Sequence, residues 1–399
     1  MEPFLPEHKP RRPPESVDVE KKPREQRKIT PLAVPTSWPT LLDLDDEGFP
    51  RVVWQRAKLA RSLKEHTQTC NFYPAVATMD SFPREQLRLQ LAELAQAGIY
   101  VGTSSWKYEG WLGLIYSREK YLRYFKEGPP RILKGRFEKT CLAEYAETFK
   151  TVCLDGAYYQ FPTPQVLDGY FSQVPDDFRL SLKVTDMITV LRWPNHAKYG
   201  SKAGQSNPAF LNADLFVSSF LGPLAPYRER VGTLIFEFSE FSKGDWERGR
   251  EFVAYLDSFL DKLPKGWDYS VEIRNESFLH PRYFEVLKIH NVAHTLNSWD
   301  RMPPVSEQMR MIGNETADFV TARFLLRPGK SYQQAKTGFQ PHKEIKEPYP
   351  DARMALARLV GKAALGRFRK RYIFVNNRLE GCAPWTIAAV LEAANVGSS

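Results

Sequence analysis

The chain has 399 residues, of which 42% are hydrophobic and 13% are aromatic, which is enough for one large buried core. Its net charge is +9, from 56 Lys and Arg against 47 Asp and Glu. No apolar run approaches the roughly 18 residues that a membrane-spanning helix needs. The first residues also lack the apolar core of a secretion signal. We therefore expect a cytoplasmic protein with no membrane partner.

Residues 1–40 have the composition of a disordered, Pro-rich, charged tail. They hold nine of the thirty prolines, and Phe4 and Trp38 are their only aromatic residues. Such a segment buries too little apolar surface to offset the entropy of ordering it. Residues 41–97 are expected to form an N-terminal extension that packs on the main domain. Its last part is a predicted helix with Pro83 in its first turn, leucines on one face and Gly98 at its C-terminal cap.

Eight short β-rich runs alternate with helical stretches between residue 98 and the C-terminus. Strands separated by helices imply a parallel sheet, and eight such units in about 300 residues have the size of a closed (β/α)8 barrel. The sequence therefore predicts an α/β fold, a TIM-type barrel over 98–399 with a disordered N-terminal extension. The predicted strands are 99–105, 151–155, 178–183, 233–237, 269–274, 292–297, 319–327 and 372–377.

Barrels of this kind place their active sites at the C-terminal ends of the strands. Glu272 and Arg274 are two apart in one predicted strand, so their side chains share a face. Because they alternate with apolar residues, that face is expected to point into the barrel. Buried charges need partners. We expect one inward-facing cluster of candidate catalytic residues, Lys183, Glu237, Glu272 and Arg274, with Asp155 and Asn376 at its edge and Arg323 nearby.

This cluster is compatible with several kinds of chemistry. Glu237 and Glu272 on adjacent strands would suit acid and base roles on a glycoside or ester. A desolvated Lys183 would suit a Schiff base. The structural alternative is a salt-bridge network that only neutralises itself and closes one layer of the barrel. Arginines would hold a phosphate or carboxylate bidentately, and the candidates are Arg274, Arg323 and Arg327.

Aromatic and polar residues near the predicted strand ends are candidates for substrate binding. Aromatic side chains at a barrel mouth form flat platforms for sugars or bases. The alternative is that Trp106 and Trp111 only cap the barrel rim, and that Asn376 and Asn377 only terminate the last strand. The full set of candidates is Ser105, Trp106, Tyr108, Trp111, Tyr158, Asn297, Trp299, Arg323, Arg327, Asn376 and Asn377.

No cofactor and no metal are predicted. Of the seven histidines, only His294 falls in a predicted strand, where a packed core position is the expected role. A weaker alternative places a divalent ion among oxygen donors and this histidine. The residues of that alternative site are Asp155, Glu237, Glu272 and His294.

Several separate motifs follow one another along the predicted barrel. They are Gly102-Thr-Ser-Ser-Trp106, Trp111-x-Gly113, Phe161-Pro162 after a Tyr-Tyr pair, Lys183, Val271-Glu-Ile-Arg274 and Val375-Asn-Asn377. In this order they resemble the domain of unknown function 72, or YecE-like, family over roughly 98–395. The resemblance implies a (β/α)8 barrel and no established reaction. Here Val190, Asn275 and the run 325–329 stand in place of usual histidine-bearing patterns, which argues against a His-dependent mechanism. Cys153 and Asp155 also replace a usual Glu-x-Asn.

Three functions are compatible with these features. The first is a metal-independent hydrolase or lyase that acts on a polar or anionic small molecule, such as a carbohydrate or phosphate compound. The second is a protein that binds nucleic acid or phosphate through residues 325–372, which hold twelve Lys and Arg against three Asp and Glu. The third is a non-catalytic ligand-binding barrel. The sequence leaves open whether the protein is an enzyme, and it makes no prediction of oligomeric state.

Deleting residues 1–40 should leave the thermal unfolding midpoint nearly unchanged, because a disordered tail adds little to the packed core. The measurement is a thermal melt of the full chain and the truncated chain under one condition. A large drop in the midpoint would instead show that this segment packs on the folded domain.

Overall fold

The computed structural model describes residues 81–242, 244–246, 249–311, 315–361 and 368–396. The predictions for 1–40 and for 41–80 lie outside these residues. Eight parallel strands close into one barrel in chain order, with helices around it. The predicted fold class is therefore confirmed. The barrel strands are β1 (Ile99–Thr103), β2 (Thr151–Leu154), β3 (Arg179–Lys183), β4 (Val231–Phe238), β5 (Asp268–Ile273), β6 (Ala293–Ser298), β7 (Phe319–Phe324) and β8 (Lys370–Val375).

Helices precede the barrel and join its strands. A short antiparallel pair, Leu122–Arg123 with Arg131–Ile132, also projects from the connection after β1. A π-helical turn, Val217–Leu221, lies between two of the helices after β3. The helices are α1 (Arg84–Gln96), α2 (Arg118–Tyr121), α3 (Lys134–Thr148), α4 (Pro164–Phe171), α5 (Asp186–Thr189), α6 (Ala213–Phe216), α7 (Gly222–Leu224), α8 (Gly249–Asp261), α9 (Pro281–Ile289), α10 (Val305–Gln308), α11 (Tyr332–Gly338), α12 (Pro350–Val360) and α13 (Ala383–Val396).

Helix α1 matches its prediction and leads directly into the barrel. Its leucines Leu87 and Leu91 are buried, as the spacing predicts. Gly98 then adopts φ +78°, a conformation that a side chain rarely takes. A Cβ atom at this position would also lie 2.8 Å from the carbonyl oxygen of Arg369. Glycine is therefore needed where the helix turns into β1.

Three strands, β1, β7 and β8, end at least two residues earlier than predicted, because side chains bond to the backbone around and beyond their ends. The last strand ends at Val375, so the prediction that Asn377 lies on it is wrong. Asn376 Oδ1 accepts a hydrogen bond from the Arg378 amide at 2.9 Å, and Asn377 Oδ1 accepts one from the Ala383 amide at 2.7 Å. Likewise β1 and β7 stop at Thr103 and Phe324, which places Ser105 and Arg327 in loops.

The barrel interior has three levels. At the N-terminal end, Asp268 accepts hydrogen bonds from Arg369 at 2.6 Å and from the Tyr372 hydroxyl at 3.0 Å. The middle holds a cluster of buried apolar side chains, in which the rings of Tyr100 and Tyr372 stack with centroids 5.6 Å apart. The C-terminal end carries the charged side chains described below. The middle level consists of Tyr100, Cys153, Ile235, Ala293, Phe319, Tyr372 and Phe374.

Gly102 marks a close approach between β1 and β2, since a Cβ atom there would lie 2.1 Å from the carbonyl oxygen of Thr151. Gly102→Ala should lower the free energy of unfolding by about 1–3 kcal/mol, because strand backbone must shift to make room. The matched control is Gly169→Ala in α4, where a Cβ atom meets nothing within 4 Å. The control should raise the free energy of unfolding by about 0.5–1 kcal/mol, since alanine favours a helix. Urea unfolding measures both, and equal effects would contradict the close packing.

Candidate functional site

The predicted charged residues meet inside the barrel at the C-terminal ends of the strands. Glu237 of β4 and Glu272 of β5 are register partners, so the two carboxylates lie side by side. Lys183 Nζ lies 2.5 Å from Glu237 Oε2, and Arg274 Nη2 lies 2.7 Å from the same oxygen. Arg274 also donates to Glu272 Oε1 at 3.0 Å. We call these four residues together with Arg323 the charged cluster.

Arg323 lies at the centre of the charged cluster. Its Nη1 atom donates to Glu272 Oε2 at 2.6 Å and to Glu237 Oε2 at 3.2 Å. Its Nη2 atom lies 3.4 Å from Asp155 Oδ1. Arg323 therefore contacts all three of these carboxylates. The sequence assigned Arg323 to substrate binding, but its side-chain contacts in the structure are to these acids.

Burial increases from the mouth of the barrel towards its interior. The side chains of Lys183 and Arg274 remain 10% and 12% exposed, and that of Asp155 is 40% exposed. Glu237, Glu272 and Arg323 are almost fully buried below them. The two outer cations thus form the floor of the mouth, and the buried groups hold them in place.

The pKa of Glu237 reflects a balance of two large effects. Burial alone would raise it, but the charges of Arg274, Lys183 and Arg323 hold it well below its ordinary value. Glu237 therefore stays ionised at physiological pH, and it is suited to positioning cations rather than to donating a proton. Burial raises the pKa of the nearby Cys153 thiol to about 12, so this group stays protonated and is a poor nucleophile.

Two aromatic rings cover the outer cations. Lys183 Nζ lies 3.8 Å from the centre of the Tyr158 ring, and Arg274 Cζ lies 3.7 Å from the centre of the Trp299 ring. Cation–π contacts of this kind are strengthened where water is excluded. The predicted site residues Tyr158 and Trp299 thus line the mouth directly above the charged cluster.

Sequence reasoning missed a second group at the mouth. The Tyr199 hydroxyl donates to Asp186 Oδ2 at 3.0 Å. Lys198 Nζ lies 4.3 Å from the centre of the Tyr159 ring and 4.4 Å from that of Tyr199. Burial raises the pKa of Asp186, more than the Tyr199 hydrogen bond and the Lys198 charge lower it. The Thr-Asp pair directly after β3, typical of a helix start, was the available indication for Asp186.

The tryptophans after β1 lie in the wall of the barrel. Trp111 is fully buried, with its ring stacked 6.2 Å from that of Tyr116 and 6.5 Å from that of Tyr145. Trp106 is also buried and meets Tyr170 edge-on at 5.7 Å. Both positions favour the structural interpretation over ligand contact. The partly buried Tyr108 packs beside Trp111, with ring centres 4.8 Å apart.

The remaining candidates make local contacts. Asn297 faces the interior as the register partner of Arg323, and its Nδ2 atom donates to the Ile273 carbonyl at 3.1 Å. The Ser105 carbonyl accepts from Thr103 Oγ1 at 2.6 Å. Arg327 donates to the Pro348 carbonyl at 2.7 Å, and its Nη1 atom lies 3.7 Å from Glu347 Oε2. With the turn contacts of Asn376 and Asn377, these bonds favour structural roles for most of this group.

The weaker metal alternative is wrong as a four-residue site, because His294 lies apart from the three acids that surround Arg323. His294 lies on the outer face of β6, where its Nδ1 atom is 3.1 Å from the Tyr283 hydroxyl and its ring packs on Phe284. Burial lowers the pKa of His294 to about 4, which fits the core position predicted from the sequence. In the part of the chain that the structure describes, no group of three or more His, Cys, Asp or Glu side chains is arranged to hold a metal ion.

Most of the basic residues between 325 and 372 that the structure describes are paired with carboxylates of the same chain. Lys330 lies 2.5 Å from Glu347, and Arg353 is held at 2.8 Å by the fully buried Glu380. This pairing reduces the free positive charge that the sequence assigned to the region. The paired basic residues are Arg327, Lys330, Lys346, Arg353, Arg369 and Lys370.

No helix among the described residues is both long enough and apolar enough to cross a membrane. The closed parallel barrel, with its charged cluster at the C-terminal ends of the strands, defines a (β/α)8 barrel protein. Residues 100–398 match a family described as "Protein of unknown function DUF72". Since this match covers well over half of the chain, the protein belongs to the DUF72 family, which confirms the resemblance drawn from its motifs.

Similar proteins are found in several bacteria. The UPF0759 protein YecE of Escherichia coli K12 is 26% identical over 190 residues, which are 47% of this chain and 50% of that protein. The chain thus spans about half the length of this curated relative. A DUF72 family protein of Enterococcus faecalis V583 has 18% identity over 74% of this chain and 95% of its own, with a TM-score of 0.49. One from Thermotoga maritima MSB8 has 19% identity, 75% and 99% coverage, and a TM-score of 0.49.

Glu272→Gln should lower the free energy of unfolding by about 3–5 kcal/mol, because it leaves Arg274 and Arg323 short of a buried counter-charge. The matched control is Glu240→Gln, which removes an exposed carboxylate 2.6 Å from Arg301. Loss of that surface pair should cost less than about 1 kcal/mol. Chemical denaturation of both variants at neutral pH makes the comparison. Equal costs would show that the charged cluster adds nothing beyond an ordinary surface pair.

Proposed function

We propose that the protein is a metal-independent hydrolase or lyase that binds a polar, anionic small molecule at the mouth of the barrel. The observation that carries this proposal is the position of Lys183 and Arg274. Both are cations at the floor of the mouth, partly open to solvent, and both are fixed from below by buried carboxylates. A carboxylate or phosphate ester is the ligand chemistry that such fixed cations recognise.

Lys183 and Arg274 at the floor of the mouth are held in position to bind an anion before any ligand is present. Glu237 and Glu272 hold the cations by hydrogen-bonded ion pairs, and the rings of Tyr158 and Trp299 restrict their motion and exclude water. Groups that are already oriented need little reorganisation when charge develops in a reaction. In this scheme the two glutamates act as positioning residues and not as proton donors.

Proton transfer is assigned to the carboxyl groups at the mouth. Asp155 is partly exposed at the end of β2, and Asp186 lies just after β3 with a raised pKa. A carboxyl group whose pKa is raised towards neutrality is better able to donate and accept a proton. Hydrolysis and elimination both need such a group near the bound anion.

A non-catalytic ligand-binding barrel is the second candidate. It is favoured by the ion pairs of the buried carboxylates, since Glu237 Oε2 already meets Lys183, Arg274 and Arg323, and both oxygens of Glu272 accept from arginines. Such carboxylates need not meet substrate at all. In that case the mouth would bind the same anions without converting them.

The experiment is a ligand screen by thermal shift, with sugar phosphates, carboxylates and neutral sugars added to the full chain. Phosphorylated or carboxylated compounds should raise the unfolding midpoint, since a ligand at about 100 times its Kd adds about 2.7 kcal/mol. Lys183→Met and Arg274→Met should abolish this shift. The control Lys150→Met, which removes a lysine 2.7 Å from Asp177 at the other end of the barrel, should retain it.

Mass spectrometry of any compound that binds separates the two candidates. Cleavage by the native chain that is lost in Asp186→Asn, with binding retained, supports an enzyme. Binding without conversion supports the ligand-binding barrel. Equal stabilisation by neutral sugars, or shifts that survive in Lys183→Met and Arg274→Met, would contradict an anion site at the mouth.

A further inference from the structure

The connection after β1 carries an exposed hairpin, Leu122–Ile132, which we call the basic hairpin. Its two short strands pair Leu122 with Ile132 and Arg123 with Arg131. Every residue from Arg123 to Arg131 is exposed. Two large aromatic side chains are among them, since Tyr124 is 60% exposed and Phe125 is 44% exposed. Aromatic surface left open to water in this way often marks a contact site.

The basic hairpin holds three Lys and Arg against one Glu, and it lies within a longer basic segment. Residues 118–139 contain eight Lys and Arg against three Asp and Glu. Among the described residues, this segment forms one ion pair with a carboxylate, between Lys120 and Glu144 at 3.5 Å. This contrasts with residues 325–372, where six cations are paired. The cations of the segment without such a pair are Arg118, Arg123, Lys126, Arg131, Lys134, Arg136 and Lys139.

Two arginines of the basic hairpin lie beside one of its aromatic rings. The guanidinium carbons of Arg123 and Arg131 each lie 5.5 Å from the centre of the Phe125 ring. These contacts hold two cations beside one ring. Tyr124 follows directly after the first strand of the hairpin, and its side chain is 60% exposed, so much of its ring is open to solvent. The hairpin thus offers oriented charges together with a free aromatic face.

The base of the hairpin is rigid, so its exposure is not the result of loose packing. Tyr121 is fully buried and meets Tyr116 and Phe137 edge-on, with ring centres 6.2 Å and 5.2 Å apart. The Leu133 amide donates to the Tyr121 carbonyl at 2.8 Å, which closes the hairpin. A platform that is already ordered loses little entropy when it binds a partner.

We propose that the basic hairpin is a binding site for single-stranded nucleic acid. Arg123, Lys126 and Arg131 contact phosphates, and one base stacks on Tyr124. Single strands are recognised by this combination of cations along the backbone and open aromatic faces, and the stacking tolerates any base. The proposal concerns a surface separate from the barrel mouth and does not depend on its function.

The test measures binding of a fluorescent single-stranded oligouridylate of about 20 nucleotides to the full chain by anisotropy. Tyr124→Ala should weaken binding about tenfold, as expected for loss of one base–aromatic contact. The control is Tyr255→Ala, which removes a tyrosine that is 61% exposed on α8, away from the hairpin. The control should bind like the native chain, and circular dichroism should show that both variants are folded.

Salt dependence separates nucleic acid from other anionic partners. The double variant Arg123→Ala with Arg131→Ala should reduce the slope of log K against log salt concentration by about 1.4, since each lost phosphate contact contributes about 0.7. Polyglutamate and phosphatidylserine vesicles serve as competitors that have charge but no bases. The proposal is overturned if Tyr124→Ala binds RNA as the native chain does. It is also overturned if polyglutamate or the vesicles bind as tightly as RNA and show the same dependence on Tyr124.

Discussion

The site depends on one constraint, which is that two glutamates face each other on adjacent strands inside the barrel. Glu237 and Glu272 are register partners, and both are almost fully buried. Two like charges in this position repel each other and lose their hydration, so neither is tolerated without cations close by. Arg323 supplies a positive charge on the interior side of the two carboxylates, and Lys183 and Arg274 supply positive charges on the side of the mouth. The positive floor of the mouth is therefore a direct consequence of the buried acids.

In this arrangement, the residues that stabilise the barrel differ from the residues that would select a ligand. The charged cluster is built on strands, where the backbone ladder fixes each side chain, and its geometry is shared by both candidate functions. The groups that would distinguish one ligand from another lie on the loops above it. Tyr159, Lys198 and Tyr199 follow β2 and β3 and meet across the mouth. Loop changes can therefore alter what is bound while the floor stays constant, as in other barrels of this architecture.

The strand positions and the inward cluster were predictable, because alternation along a strand needs only the sequence. The same parity places His294 on the opposite face from Asn297, three residues later, so the sequence already contained the argument against a metal site. Other features depend on tertiary contacts. No pattern in the sequence around Trp111 indicates that the rings of Tyr116 and Tyr145 stack beside it. The mouth group around Asp186 joins the start of the short helix α5 to Lys198 and Tyr199, and no local pattern in the sequence predicts that these residues meet.

The apolar cluster in the middle of the barrel limits how a ligand can reach the charged cluster. The stacked rings of Tyr100 and Tyr372 and the side chains of Ile235, Phe319 and Phe374 separate the ionised groups at the two ends. Side chains packed at protein density leave no gap wide enough for a small molecule to pass along the barrel axis. The barrel is therefore closed to ligands below the charged cluster. A ligand that reaches the charged cluster from solvent leaves through the opening by which it entered.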